Sequence, residues 1–128
     1  MCLYSKTKKP LVAKKNLICY KRVINLSTKP GTILTPFQGV ELSCNSLIFG
    51  KGDSTVLYSK IDNLYHVNGG YFHAYQDYKT AIRNILFIDG SYIVKCIIPK
   101  GAKFYLGMDG DICASKIIIG TEIGRAHV

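Results

Sequence analysis

The sequence predicts an α+β fold: a mostly antiparallel β-sheet of about eight short strands, with one main helix near residues 77–87. Three observations predict it. Short runs of β-branched and aromatic residues recur along the chain, divided by Gly, Pro, Asn and Asp turns. A single stretch places apolar residues at helical spacing. The order is strand-rich, helix, strand-rich, which differs from the alternation that builds parallel sheets. With 128 residues, 48% apolar and 20% charged, the chain suits one domain with its own core.

Residues 1–16 are Lys-rich and contain Pro10, so they read as a basic N-terminal arm with a short ordered piece near Leu11–Ala13. The single α+β domain is then expected over 17–123. Leu17–Leu26 is its first strand, carrying Lys21 and Arg22 on opposite faces. Ser27–Gly31 is turn chemistry, and Thr32–Leu34 is extended and ends near Pro36. Gly39–Phe49 reads as a strand with polar interruptions. Gly50-Lys51-Gly52-Asp53 reads as a hairpin turn into a strand at Ser54–Ser59. Leu64–Val67 and Tyr71–Ala74 flank the Asn68-Gly69-Gly70 turn.

Asp77 is a suitable N-cap for the helix. Tyr78, Ala81, Ile82, Ile85 and Leu86 form its apolar face, with Lys79 and Arg83 outside. Tyr92–Ile98, Lys103–Leu106 and Ile112–Ile119 complete the strands. Gly124–Val128 looks unlike what precedes it and reads as a tail, natural or appended.

Charge separates the chain into two parts. There are 17 Lys and Arg against 8 Asp and Glu, a formal charge of +9. Eight of the basic residues and none of the acids fall in residues 1–40. The remainder is nearly neutral, so the composition does not support a surface that is basic all over. Five cysteines, an odd number at long spacings without a C-x-x-C pair, argue against a disulfide framework or a zinc site. They favour a reducing, cytoplasmic setting. No apolar run approaches the length of a bilayer span.

No familiar catalytic spacing is present. Gly50–Thr55 has phosphate-loop composition, but it leads into a strand and offers no helix N-terminus. The acids sit mostly at turns and caps. Neither a cofactor nor a metal is expected, and the balance leans away from an enzyme. What stands out is a row. Alternation puts Tyr71, His73 and Tyr75 on one face, just before the helix. Tyrosine offers a flat ring for stacking and a hydroxyl for phosphate, and histidine can touch a phosphate or move a proton. A packed aromatic core with a backbone-bonded His is the competing reading, and His66 fits that reading better than His73. Lys21, Arg22 and Lys95 would meet phosphates, while Thr35 and Gln38 could read polar edges.

Several stretches resemble short, uncharacterised proteins of phages and prophages. They are Met1–Tyr4 with its Lys-rich continuation, Gly70–Tyr75 leading into a helix, Lys95–Tyr105, and Ala114–Ile118. The layout is also similar to ADP-ribosyltransferase-like folds: a basic residue on the first strand, a central helix, and a late strand ending in Pro99-Lys100-Gly101. Those enzymes use a late Glu. Residues 114–116 offer none, and Glu122 is the late acid. The first resemblance implies a phage origin, and the second implies nucleotide binding rather than transfer.

Three function classes follow. The first is a non-catalytic binding protein for a small phosphorylated nucleotide-like ligand, as in a phage protein that sequesters a host immune signal of the cyclic nucleotide or cyclic ADP-ribose type. The second is a nucleic-acid or acidic-protein binder working through the basic arm. The third is an ADP-ribosyltransferase-like enzyme. No membrane partner is expected, and a homo-oligomer would suit a small protein that encloses a ligand.

Overall fold

In the computed structural model, residues 2–24, 32–34, 41–43, 47–50, 52–83 and 91–125 are described. The fold is mostly antiparallel β-sheet with a single short helix among these residues. The first half of the chain contributes β1 (Cys2–Ser5), β2 (Leu11–Val12), β3 (Leu17–Ile24), β4 (Thr32–Leu34), β5 (Glu41–Ser43) and β6 (Leu47–Phe49). Next come β7 (Thr55–Ser59), β8 (Leu64–Asn68), β9 (Phe72–Tyr75) and α1 (Tyr78–Arg83). The chain closes with β10 (Ser91–Ile98), β11 (Lys103–Leu106), β12 (Asp111–Ala114) and β13 (Lys116–Arg125). The strands are therefore more numerous than the eight expected.

Two sheets form. A small one runs β1-β8-β7. A large one runs β2-β11-β12-β9-β3-β10-β13-β6, with the β4-β5 hairpin branching from β3. One face of the large sheet carries the main core. Cys19 and Val23 of β3, Val94, Cys96 and Ile98 of β10, Ile117 and Ile119 of β13, and Phe104 of β11 all pack there. The opposite face is covered at one end by the small sheet, through Leu3, Val67, Tyr71, Tyr105 and Cys113.

The helix begins where Asp77 was expected to cap it. Asp77 Oδ1 accepts from the Thr80 backbone N–H at 2.7 Å, and Asp77 Oδ2 accepts from the Thr80 hydroxyl at 3.0 Å. The last part of the expected helix, 84–87, lies outside the described residues, as do 25–26 of the first strand.

Four expectations change. Residues 2–16 are built into both sheets rather than standing off as an arm. β1 pairs with β8, β2 pairs with β11, and Leu3 is fully buried. Here apolar burial outweighs the flanking charge, because the lysines point to water while Leu3 fills the second core. β6 and β7 are not the two arms of a hairpin, since β6 belongs to the large sheet and β7 to the small one. Gly50 sits there against the Gly70 carbonyl, only 2.6 Å from where a Cβ would lie. Ile112–Ile119 is two strands. Inward residues run 112, 114 and then 117, 119, so the alternation slips by one at Ser115. Ser115 N–H bonds Lys103 O, while its own carbonyl accepts from Gly50 N–H at 2.7 Å, so the chain turns a corner between neighbours. Finally, β13 continues through Gly124 and Arg125, which pair with Ile93 and Tyr92.

Candidate functional site

The register brings chemically useful side chains together on the partly covered face of the large sheet. Lys95 lies opposite Tyr20, Tyr20 opposite Tyr75, and Tyr75 opposite Asp111. These four residues form one row across β10, β3, β9 and β12. In the neighbouring row Ile93 faces Arg22, and His73 faces Cys113. Because β3 and β9 pair at Tyr20 and Tyr75, Arg22 and His73 fall on the same face, two residues along each strand. Helix α1 borders the row, with Tyr78 meeting the Tyr20 ring edge-on at a centroid distance of 6.1 Å.

Arg22 is buried, at 6% exposure, as a guanidinium on an otherwise mixed face. His73 is part-buried, and both ring nitrogens are sealed from solvent without a hydrogen-bond partner among the described residues. Burial, and then the nearby Lys21 charge, hold its pKa down at about 4. The ring is thus neutral at physiological pH, with one donor and one acceptor. Burial raises the Tyr75 hydroxyl pKa, while the Arg22 charge opposes that rise. Burial also pushes Asp111 upward. The Asp111 carboxyl lies over Gly107, at the spot a Cβ there would occupy, so it serves the β11–β12 turn as well as bordering the row.

The other sequence-predicted residues divide. Tyr71 sits on this same side but is committed to structure. Its ring packs near Tyr105, and its hydroxyl donates to Asp53 Oδ1 at 3.1 Å. Burial and the Asp53 bond push that phenol well above its ordinary pKa. Lys21 is buried on the other face, in line with Cys19. Its ammonium donates to the His73 carbonyl at 2.7 Å, and burial lowers its pKa. It therefore props β9 and acts on His73 through charge, from the far side of the sheet. Lys95 is exposed at the end of the row. Thr35 and Gln38 lie outside the described residues. His66 belongs to the small sheet, where it packs edge-on to Tyr4 and approaches Asp62 Oδ2 at 3.4 Å.

Comparison with known protein families, curated proteins and solved structures finds no match to this chain.

Tyr20 and Asp111 were not singled out in the sequence, and Tyr78 was read there only as part of the helix's apolar face. Their placement depends on which strands become neighbours, and alternation along a single strand carries no information about that. The cross-strand thiols Cys19 and Cys96 were equally hidden. They lie directly opposite each other beside Lys21, and the hydrogen bond between them, with burial, raises Cys19. Among the described residues no cluster of three or more His, Cys, Asp or Glu could hold a metal. No described helix is long and apolar enough to cross a membrane.

Proposed function

We propose that this chain is a non-catalytic binding protein for a small anionic, nucleotide-like ligand, held over the Tyr20–Tyr75 row. One observation carries the reading. His73 has two buried ring nitrogens without a partner, on the same face as a buried Arg22. Burying polar atoms unpaired costs about 1–3 kcal/mol per group, which a ligand offering both an acceptor and a donor would recover once the ring turns to meet it. Arg22 and Lys95 supply positive charge for phosphate, and the tyrosine rings supply flat surfaces for a base. A His pKa near 4 suits a fixed hydrogen-bonding group better than a proton shuttle at neutral pH.

The finer reading is a phage or prophage product that sequesters a host immune nucleotide signal. It rests on the motif resemblance of residues 70–75, 95–105 and 114–118. Calorimetry of the folded chain against mono-, di- and cyclic nucleotides and cyclic ADP-ribose tests both levels. At least one should bind, and His73→Ala and Arg22→Gln should each weaken it by tenfold or more. Absence of binding across the panel overturns the proposal. Binding that survives both substitutions moves the ligand elsewhere.

A further inference from the structure

We infer that the edge formed by β2 and the turn before β11 is a second binding surface, for the phosphate backbone of a nucleic acid. Lysines far apart in sequence are fixed side by side there. Gly101 N–H donates to Ala13 O at 2.8 Å, and Ala13 N–H donates to Ala102 O at 2.9 Å. Lys100 N–H donates to the Asn16 side-chain oxygen at 3.0 Å. These bonds set Lys14 and Lys15 against Lys100. Farther along, Val12 pairs with Lys103, and the Tyr105 hydroxyl donates to Lys8 O at 3.1 Å, which brings Lys8 and Lys9 to the same edge.

All six lysines are exposed, and Ala13 and Ala102 anchor the backbone between them in the core. Lys103 approaches Asp53 at 4.0 Å, a long contact between two exposed groups, so little of the charge is neutralised. β2 ends the large sheet, so its outer side meets no further strand among the described residues.

The composition of this edge selects the partner. Protein interfaces draw their strength from buried aromatic and Arg anchors and are depleted in lysine. Here the basic groups are all lysines, flexible point charges that suit a row of phosphates without reading base identity. Binding should therefore be sequence-independent and strongly salt-dependent. The surface is separate from the Arg22–His73 face and does not rest on the ligand reading.

The test uses the full chain with a fluorescein-labelled 20-nucleotide single strand, read by anisotropy from 50 to 200 mM salt. Binding should weaken steeply across that range. The triple variant Lys14→Gln/Lys15→Gln/Lys100→Gln should flatten the log–log salt slope by about 2, at ~0.7 per lost phosphate contact on single strands. Lys79→Gln, at an exposed position on α1 away from this edge, should leave the slope unchanged. Circular dichroism of the triple variant checks that the fold survives, and Lys103→Gln alone, expected to flatten the slope by about 0.7, provides a milder second reading. No binding at 50 mM salt, an unchanged slope in a folded triple variant, or binding to phosphatidylserine vesicles in preference to the oligonucleotide overturns the inference.

Discussion

Acid should destabilise this protein through His73. The ordinary imidazole pKa is 6.5, and in the folded chain it is about 4. Between those values the unfolded chain holds the extra proton, so stability falls as pH falls. The neutral ring's contribution is complete above about pH 6.5 and is lost progressively toward pH 4. At ~1.4 kcal/mol per unit the shift amounts to roughly 3 kcal/mol, which partial exposure of the ring reduces to about 2 kcal/mol by pH 4.5. Urea unfolding of wild type and His73→Gln from pH 7 to 4.5 isolates this contribution, because the remaining titrations are shared. Wild type should lose about 2 kcal/mol more than the variant over that range. Parallel stability curves, or an imidazole resonance that titrates near 6.5, would refute the assignment of a sealed, neutral ring.

Further outcomes follow from other contacts. Lys21→Met removes the charge behind β9, so the His73 pKa read by NMR should rise toward its ordinary value. Leu3→Ala should cost about 2–5 kcal/mol in chemical denaturation, because Leu3 is fully buried in the second core. A merely tethered basic arm would show almost no loss. Gly107→Ala should destabilise by about 2 kcal/mol or more, since its Cβ would meet the Asp111 carboxyl. Adding Asp111→Ala should recover part of that loss, and the double-mutant cycle measures the coupling. Asp77→Ala should lower the thermal midpoint, and the difference from wild type should shrink in acid. The Thr80 hydrogen bonds depress the Asp77 pKa, so its contribution is present above the unfolded pKa and lost as pH falls through the folded one.

Strand positions were largely legible because alternation is a local property. β11 coincides with its expected span, and β10 begins one residue before it. Lys21 and Arg22 face opposite ways, as a strand requires. The sheet-level arrangement was not legible. Nothing around residues 50–54 announces that the chain leaves one sheet for another, and the slip at Ser115 has no turn residue beyond a serine. Leu3 is one buried leucine ahead of a lysine-rich stretch, so local composition hid its role. The site was half legible for the same reason. Tyr71, His73 and Tyr75 share a side, but Asp53 claims the Tyr71 hydroxyl, and that depends on a residue 18 positions away.

The pairing of the first strands also dictates when they can form. β1 waits for β8, and β2 waits for β11, some ninety residues later. Loops of that length close slowly, since the entropy is lost before any contact repays it. During synthesis these segments emerge well before the strands they pair with. Leu3 and the free strand edges are then exposed to every neighbouring chain, the condition under which nascent β-proteins aggregate. Lysines spread through the same stretch give it mutual repulsion and solubility over that interval, as gatekeeper charges do beside unpaired strands.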